Sequence, residues 1–422
     1  MTLSDSLRCI VIYLACTSSL VFSWSTSKAL SVSSSEECRD DINQNQDHYT
    51  NNYVLDRRSA AIAMVSSSSI AATTAAAWTV LPPSANAEAE ATTTNDQVKA
   101  VSVSLSQPQI PSWNLEGGVR MPVLALNTAG LTFEGTNRAM ALAYKNGITH
   151  VDFHPGRERD GVARYLAESD NRKELFLNTK INPSPRGISP ADAADRVRDQ
   201  IADDLDVLNV KNVDMLMLRD SPDAKVIQSQ WAAMEEALEK GQTRSIGVVN
   251  FCEFSLTSVL KTAKIKPALN YYLTHVGMGL DPKGLRSFGE SFGIRTFAYG
   301  AIGEPGPNKE LLENPLLVQI AKSHSVSPEA VALRWVLQTG AAASVRPTIE
   351  FGLGSSACGL DTNKCDMGLR QRASSFEWEL TTQEMDALSA LTSPNDNPTL
   401  FSSSGCPDAF GMKEMIKYLK ST

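Results

Sequence analysis

The stretch THVDFHPGRERDGVARYLAESDNRKELFLNTK, Thr149 to Lys180, decides how the rest of the chain is read. It holds an apolar run closed by Asp152, a loop, a helical stretch, and a second apolar run closed by Lys180. Parallel strands would bring the two charges to one rim, and the rim at the carboxyl ends of the strands is where a barrel enzyme keeps its chemistry.

Outward from this stretch the periodicity keeps switching between short apolar runs and helical stripes. PVLALNT precedes TNRAMALAYKNG, whose Ala139, Leu142 and Ala143 share one face before Gly147. ELFLNTKI leads to a helix whose N-cap is Ser189, with Pro190 at its first position and Val197, Ile201, Leu205 and Leu208 as its stripe. NVDMLMLRD is followed by a helix carrying Ile227, Trp231, Met234 and Leu238 on one face. TRSIGVVNF, KPALNYYLT, IRTFAYGAI and AASVRPT complete the strands, the last preceded by helices at LLVQIAKSH and SPEAVALRWVLQTG. This alternation with short connections predicts a closed (β/α)8 barrel better than an open doubly wound sheet. No G-x-G-x-x-G follows any strand, so the phosphate grip of a dinucleotide-binding open sheet is not expected.

The first hundred residues do not fit this pattern. Arg8 precedes the apolar run CIVIYLACTSSLVF, which resembles the core of a signal peptide. Arg57 and Arg58 then precede a weakly apolar Ala/Ser run that ends in the small-x-small site Ala85-Asn86-Ala87. Two successive export signals resemble a multipartite presequence to the thylakoid lumen of an alga with complex plastids; an ordinary secreted protein with a Ser/Ala-rich linker and a signal anchor are the alternatives. The expected organisation is a presequence over 1–87, a linker over 88–112, a barrel over 113–393 and a tail or lid over 394–422.

A net charge of −8 with no Lys/Arg block in the body argues against a nucleic-acid partner. No later apolar run approaches a membrane span, so the processed chain is not expected to be integral to a membrane. Beyond the presequence stand Cys252, Cys358, Cys365 and Cys406. Cys358 and Cys365 share a Gly-rich loop and can either pair or remain thiols. Cys252 is expected as a packed cysteine at a helix start rather than a reactive thiol.

The ordered series MPVLALNT, ITHVDF, LFLNTKI, VDMLMLRDSP, RSIGVVNF, PALNYYLTH, RTFAYGAIG and PEAVALRWVLQTG resembles the aldo-keto reductase family from about Trp113 to Thr392. The resemblance implies a (β/α)8 barrel that binds NADP(H) across its C-terminal face and moves hydride between nicotinamide and a small carbonyl or alcohol. The family's chemistry uses a Tyr as proton donor, a Lys that lowers the phenol's pKa, an Asp paired with that Lys, and a His that orients the carbonyl. Asp152 and Lys180 match two of these. The Tyr position carries Arg157 after a shortened loop, and the His position carries Arg219. A guanidinium can polarise an oxygen but is a poor proton donor, so His154, two residues from Asp152 and on the same side of an extended chain, is the candidate replacement acid. Tyr165, the nearest tyrosine, is expected against the barrel wall.

The resemblance further assigns cofactor contacts to Thr128, Asn250, Tyr271, Tyr299 and Arg346. Tyr299 matches the residue that stacks on nicotinamide and Arg346 the base for a 2′-phosphate, while Val249 and Tyr271 depart from the family's Ser and Gln. Arg370, Gln371 and Arg372 fall near the adenosine-binding cluster, after an insertion in which GLGSS offers backbone N–H groups. The H-x-D-x-H pattern of His150, Asp152 and His154 suggests a metal site, but no second histidine pair lies on another strand, so no metal is expected. Three functions remain open. One is an NADP(H)-dependent oxidoreductase with non-standard acid catalysis, the second a pseudoenzyme that binds the dinucleotide or a protein partner, the third a structural protein of the lumen.

Overall fold

The computed structural model describes residues 108–303, 308–347, 358, 362–391 and 406. The expected presequence, the GLGSS segment and nearly all of the expected tail lie outside the described residues. The described part begins with an antiparallel hairpin of β1 (Ser112–Asn114) and β2 (Arg120–Pro122), in which Trp113 faces Met121. Eight parallel strands follow and close on themselves: β3 (Leu124–Asn127), β4 (His150–Asp152), β5 (Phe176–Lys180), β6 (Met215–Arg219), β7 (Ile246–Val249), β8 (Leu269–Leu273), β9 (Arg295–Tyr299) and β10 (Ala342–Val345). Closure is made by β10, which pairs with β3 on one side and β9 on the other.

Helices α1 (Phe133–Lys145), α2 (Arg157–Glu168), α3 (Pro190–Leu208), α4 (Ala224–Glu239), α5 (Glu253–Leu260) and α6 (Leu285–Ser291) connect the strands up to β9. They are followed by α7 (Asn308–Leu312), α8 (Pro315–His324) and α9 (Pro328–Gln338) before β10, and by α10 (Thr362–Ala373) and α11 (Thr382–Ser389) after it. The cap expected at Ser189 is present: its side chain accepts from the Asp192 N–H, with Pro190 at the first turn.

Strand alternation divides the core in two. Outward residues such as Leu124, Leu126, Val151 and Leu177 pack on the helix stripes, together with Ala139, Val197, Ile201 and Trp231. Inward residues such as Ala125, Phe176, Met215, Met217, Tyr271 and Phe297 fill the barrel, and Leu115, Val119 and Met121 of the hairpin join them. The hairpin therefore plugs the N-terminal end. It falls partly in the expected linker and was not foreseen. Tyr165 lies in the strand–helix core, as expected, and its hydroxyl accepts from Asn171 Nδ2 at 2.7 Å. Because the interior is filled at that end, polar chemistry is confined to the opposite rim.

Candidate active site

Asp152 and Lys180 are the last residues of adjacent strands, and both side chains point inward with essentially no exposure. The Lys180 ammonium donates to Asp152 Oδ1, forming a buried ion pair. The other carboxylate oxygen is held from across the barrel: Oδ2 accepts from the Tyr271 hydroxyl at 2.7 Å and from the Ser344 hydroxyl at 2.7 Å. Asn127 Nδ2 in turn donates to the Tyr271 oxygen at 3.2 Å, and the Lys180 ammonium lies 5.1 Å from the Tyr271 ring centre.

Burial alone would raise the carboxyl of Asp152, but the adjacent ammonium and the donors around it hold its pKa below the ordinary value of 3.8. Burial pushes the Lys180 ammonium down, against the pull of Asp152 and Glu158 and with the push of Arg219. The Tyr271 phenol is driven well above 10, first by burial and then by the charge of Asp152. Tyr271 is thus no proton donor. Its proton is committed to the carboxylate, and its role is to fix Asp152.

His154 is a titratable group of this rim that stays partly open. Its side chain keeps 26% exposure. Nδ1 lies 2.9 Å from Glu158 Oε2, and among the described residues Nε2 makes no hydrogen bond. Desolvation and the charges of Lys180 and Arg219 lower its pKa below 6.5, partly offset by Glu158. Arg219 closes β6, half-buried, where its charge reaches both Lys180 and His154. Arg157, where the resemblance leads one to expect a tyrosine, is exposed as the first residue of α2.

The shortened loop makes a sharp corner. Four residues separate Asp152 from α2, and Gly156 adopts φ 87° and ψ −136°, a conformation open almost only to glycine. This corner keeps His154 over the rim.

The cofactor candidates divide into two groups. Asn250, directly past β7, has a left-handed backbone (φ 58°), and its Oδ1 accepts from the Tyr299 hydroxyl at 2.7 Å. Tyr299 remains half-buried at the end of β9, and Arg346 is buried directly past β10. These three lie at the strand ends of the same rim as Asp152. Thr128 is fully buried and its hydroxyl is turned to Glu158 Oε2 at 2.9 Å.

Arg370, Gln371 and Arg372 do not form one cluster. Successive helical residues turn by about 100°, so Arg370 is exposed and Gln371 donates to Ser327 at the start of α9. Arg372 is buried, donating to the Gly368 carbonyl at 3.0 Å and to Glu329 at 3.4 Å.

His150 belongs to the barrel floor. Its Nδ1 meets the Pro122 carbonyl at 2.9 Å, and its Nε2 accepts from Asn178 Nδ2 at 3.3 Å. Burial lowers its pKa to about 4. Both ring nitrogens are therefore committed, and the ring is neutral.

Cys252 is neither a lone packed cysteine nor a free thiol: it is bonded to Cys406, 154 residues away. Cys358 and Cys365 are bonded to each other. The Cys252–Cys406 bond fixes Cys406 beside the loop carrying Asn250, with Cys406 Sγ 3.3 Å from the Cys252 nitrogen.

Sequence reasoning missed Ser344 and Glu158. Ser344 was findable: it is a polar residue two places after Ala342 on the inward face of a buried strand. Glu158 was not, because its partners come from two different strand ends.

A parallel eight-stranded barrel whose carboxyl rim holds a buried lysine–carboxylate pair places the chain among the (β/α)8 barrel proteins. Residues 123–392 match the model of the aldo/keto reductase family, and the chain belongs to that family of oxidoreductases. An aldo-keto reductase of Mycobacterium marinum is 31% identical over 287 residues, covering 67% of this chain and 92% of the relative. NADPH-dependent codeinone reductase 1-4 of Papaver somniferum is 28% identical over 312 residues, covering 67% and 89%. The crystal structure of an aldo/keto reductase from Brucella melitensis superposes with a TM-score of 0.57 at 24% identity, over 67% of this chain and 99% of that one, a likeness of fold. Among the described residues no helix is long and apolar enough to cross a membrane.

Proposed function

We propose that this chain is an NADP(H)-dependent oxidoreductase of small carbonyls or alcohols in which His154 takes the proton-transfer role of the family's missing tyrosine. The observation that carries this reading is the open Nε2 of His154, held at the rim beside a fully assembled Asp152–Lys180 pair. A nicotinamide dinucleotide, when bound, supplies or accepts the hydride. The residues at the rim fit such a group: Asn250 and Tyr299 offer an amide edge and an aromatic face, and Arg346 offers a cation for a phosphate. The NADPH dependence in the name of the codeinone reductase relative supports the same choice of cofactor.

Lys180 and Arg219 put positive charge near the reacting oxygen, which favours an oxyanion as it develops. Asp152 keeps Lys180 charged and in place. In reduction the carbonyl carbon takes the hydride and its oxygen takes the Nε2 proton; in oxidation Nε2 takes the hydroxyl proton as hydride leaves carbon.

The exposure of Arg157, where the family has its tyrosine, favours a second reading: a barrel that binds the dinucleotide without turnover. Titration of intrinsic fluorescence with NADPH, with NADH and Arg346→Ala as comparisons, tests the shared premise. Saturable NADPH binding weakened at least tenfold in Arg346→Ala supports both readings, and no binding at high micromolar NADPH sinks both. For location, we propose the thylakoid lumen. The doubled export signals support it, as do two disulfides, which suit an oxidising compartment.

A further inference from the structure

Glu158 has no counterpart in the chemistry expected of this rim, yet it is among the most completely bonded side chains there. Oε1 accepts from the Gly130 N–H at 2.9 Å. Oε2 accepts from the Thr128 hydroxyl at 2.9 Å and the His154 N–H at 3.1 Å, and faces His154 Nδ1 at 2.9 Å. The backbone N–H groups can only donate, and every lone pair they use must be unprotonated. Burial opposes ionisation, but His154 and the donors from Gly130 and Thr128 outweigh it and hold the pKa at about 2, so the group is a carboxylate. An ionised carboxylate only accepts, so Nδ1 of His154 must carry the proton it shares. The neutral ring is then left with its lone pair on Nε2, the nitrogen that faces the open rim.

We propose that Glu158 and His154 form a carboxylate–imidazole dyad in which Glu158 is the positioning residue, fixing the Nδ1–H tautomer so that Nε2 alone exchanges the proton with the substrate's oxygen. This deepens the oxidoreductase reading and rests on its assignment of His154. In the oxidative direction the alcohol O–H bond breaks toward Nε2, the C–H bond breaks with its electron pair passing to NADP+, and the C=O bond forms. The imidazolium is stabilised against Glu158, as a buried carboxylate stabilises the histidine of a hydrolase triad. The reverse reaction returns the Nε2 proton.

The architecture suits the role. Glu158 joins the end of β3, through Thr128 and Gly130, to the corner after β4. It stands on the first turn of α2, where a carboxylate is favoured by the helix dipole. The charged groups that face His154 are Glu158 from α2, Asp152 from β4, Lys180 from β5 and Arg219 from β6. Of these only Glu158 touches the ring, and the two cations oppose protonation.

The test is nitrogen-15 NMR of the full chain labelled at its 5 histidines, with His154→Gln assigning the signal and no dinucleotide present. Wild type should show neutral His154 as the Nδ1–H tautomer. Glu158→Gln should yield a tautomer mixture and lower the titration midpoint by about one unit, as loss of a contacting opposite charge does. NADPH affinity should stay within twofold, and the pH limb of any NADPH-dependent turnover should move down by the same amount. An Nε2–H tautomer in wild type overturns the dyad without needing a variant. An unchanged tautomer and midpoint in Glu158→Gln overturns it as well. Failure of NADPH to bind would instead sink the oxidoreductase reading, leaving the tautomer result to judge the dyad on its own.

Discussion

Replacing Lys180 by Met keeps most of the side-chain volume and removes the charge opposite Asp152. Removing one partner of a buried pair costs about 3–5 kcal/mol. Here the stranded carboxylate keeps two donors, Tyr271 and Ser344, on Oδ2, so the loss should fall near the lower end, about 3 kcal/mol.

The sign follows from linkage. In wild type the folded pKa of Asp152 is depressed, so its contribution is fully present above the ordinary value of 3.8 and is lost only at lower pH. In Lys180→Met the folded pKa is raised. The carboxyl of the variant then takes up a proton at higher pH than it does in the unfolded chain, so the loss is full at high pH and shrinks as pH falls through the raised pKa. Urea unfolding followed by tryptophan fluorescence, wild type against variant at pH 8, 6 and 5, measures this. Asp152→Asn combined with Lys180→Met should recover at least half of the loss at pH 8. A loss below 1 kcal/mol at pH 8, or a loss that grows as pH falls from 8 to 5, would refute the buried-pair account.

The other outcomes concern the scaffold. His150 and His275 are buried with pKa lowered from 6.5 to about 4, chiefly by desolvation. Their stabilisation is complete above pH 6.5 and falls away below it, by about 2–3 kcal/mol each at pH 4.5; a denaturation midpoint unchanged between pH 7.5 and 4.5 contradicts this. Gly161→Ala would bring a Cβ to 2.6 Å from both the Phe133 carbonyl oxygen and Thr136 Cβ. It should cost about 1–3 kcal/mol by forcing α1 and α2 apart, readable as a lower Tm. Cys406→Ser opens a link spanning 154 residues, and the chain-entropy limit for such a loop is about 5 kcal/mol; a Tm within 1 °C of wild type under non-reducing conditions would mean that the bond does not hold the fold.

The barrel was legible because its strands are inward–outward alternations separated by helical stripes, a pattern fixed by local periodicity. Asp152 and Lys180 were legible for the same reason, each being the polar end of an apolar strand. The hairpin at Ser112–Pro122 was not, since strands of three residues carry no period; its one signal is Gly117-Gly118, both at positive φ. Ser344 could be placed on the inward face of its strand, but the partners of Asp152 could not be read. Tyr271 and Ser344 reach it from β8 and β10, and only the closure of the barrel sets them opposite it. Arg370, Gln371 and Arg372 misled in the other direction, because adjacency in sequence disperses side chains on a helix. Cys252 and Cys406 show the limit of cysteine arithmetic, in which spacing gives no connectivity over such a separation.

The central claim is that His154 moves the proton. The most direct measurement is NADPH oxidation over a panel of small aldehydes and ketones at pH 5.5 and 7.5, wild type beside His154→Ala, with NADPH affinity measured on both. The account predicts faster reduction at pH 5.5, because a His154 pKa below 6.5 leaves little imidazolium at pH 7.5. It also predicts a loss of about 10²–10⁴-fold in His154→Ala with NADPH affinity retained. Turnover in His154→Ala equal to wild type, or tight NADPH binding by wild type with no turnover on any substrate at either pH, would contradict it.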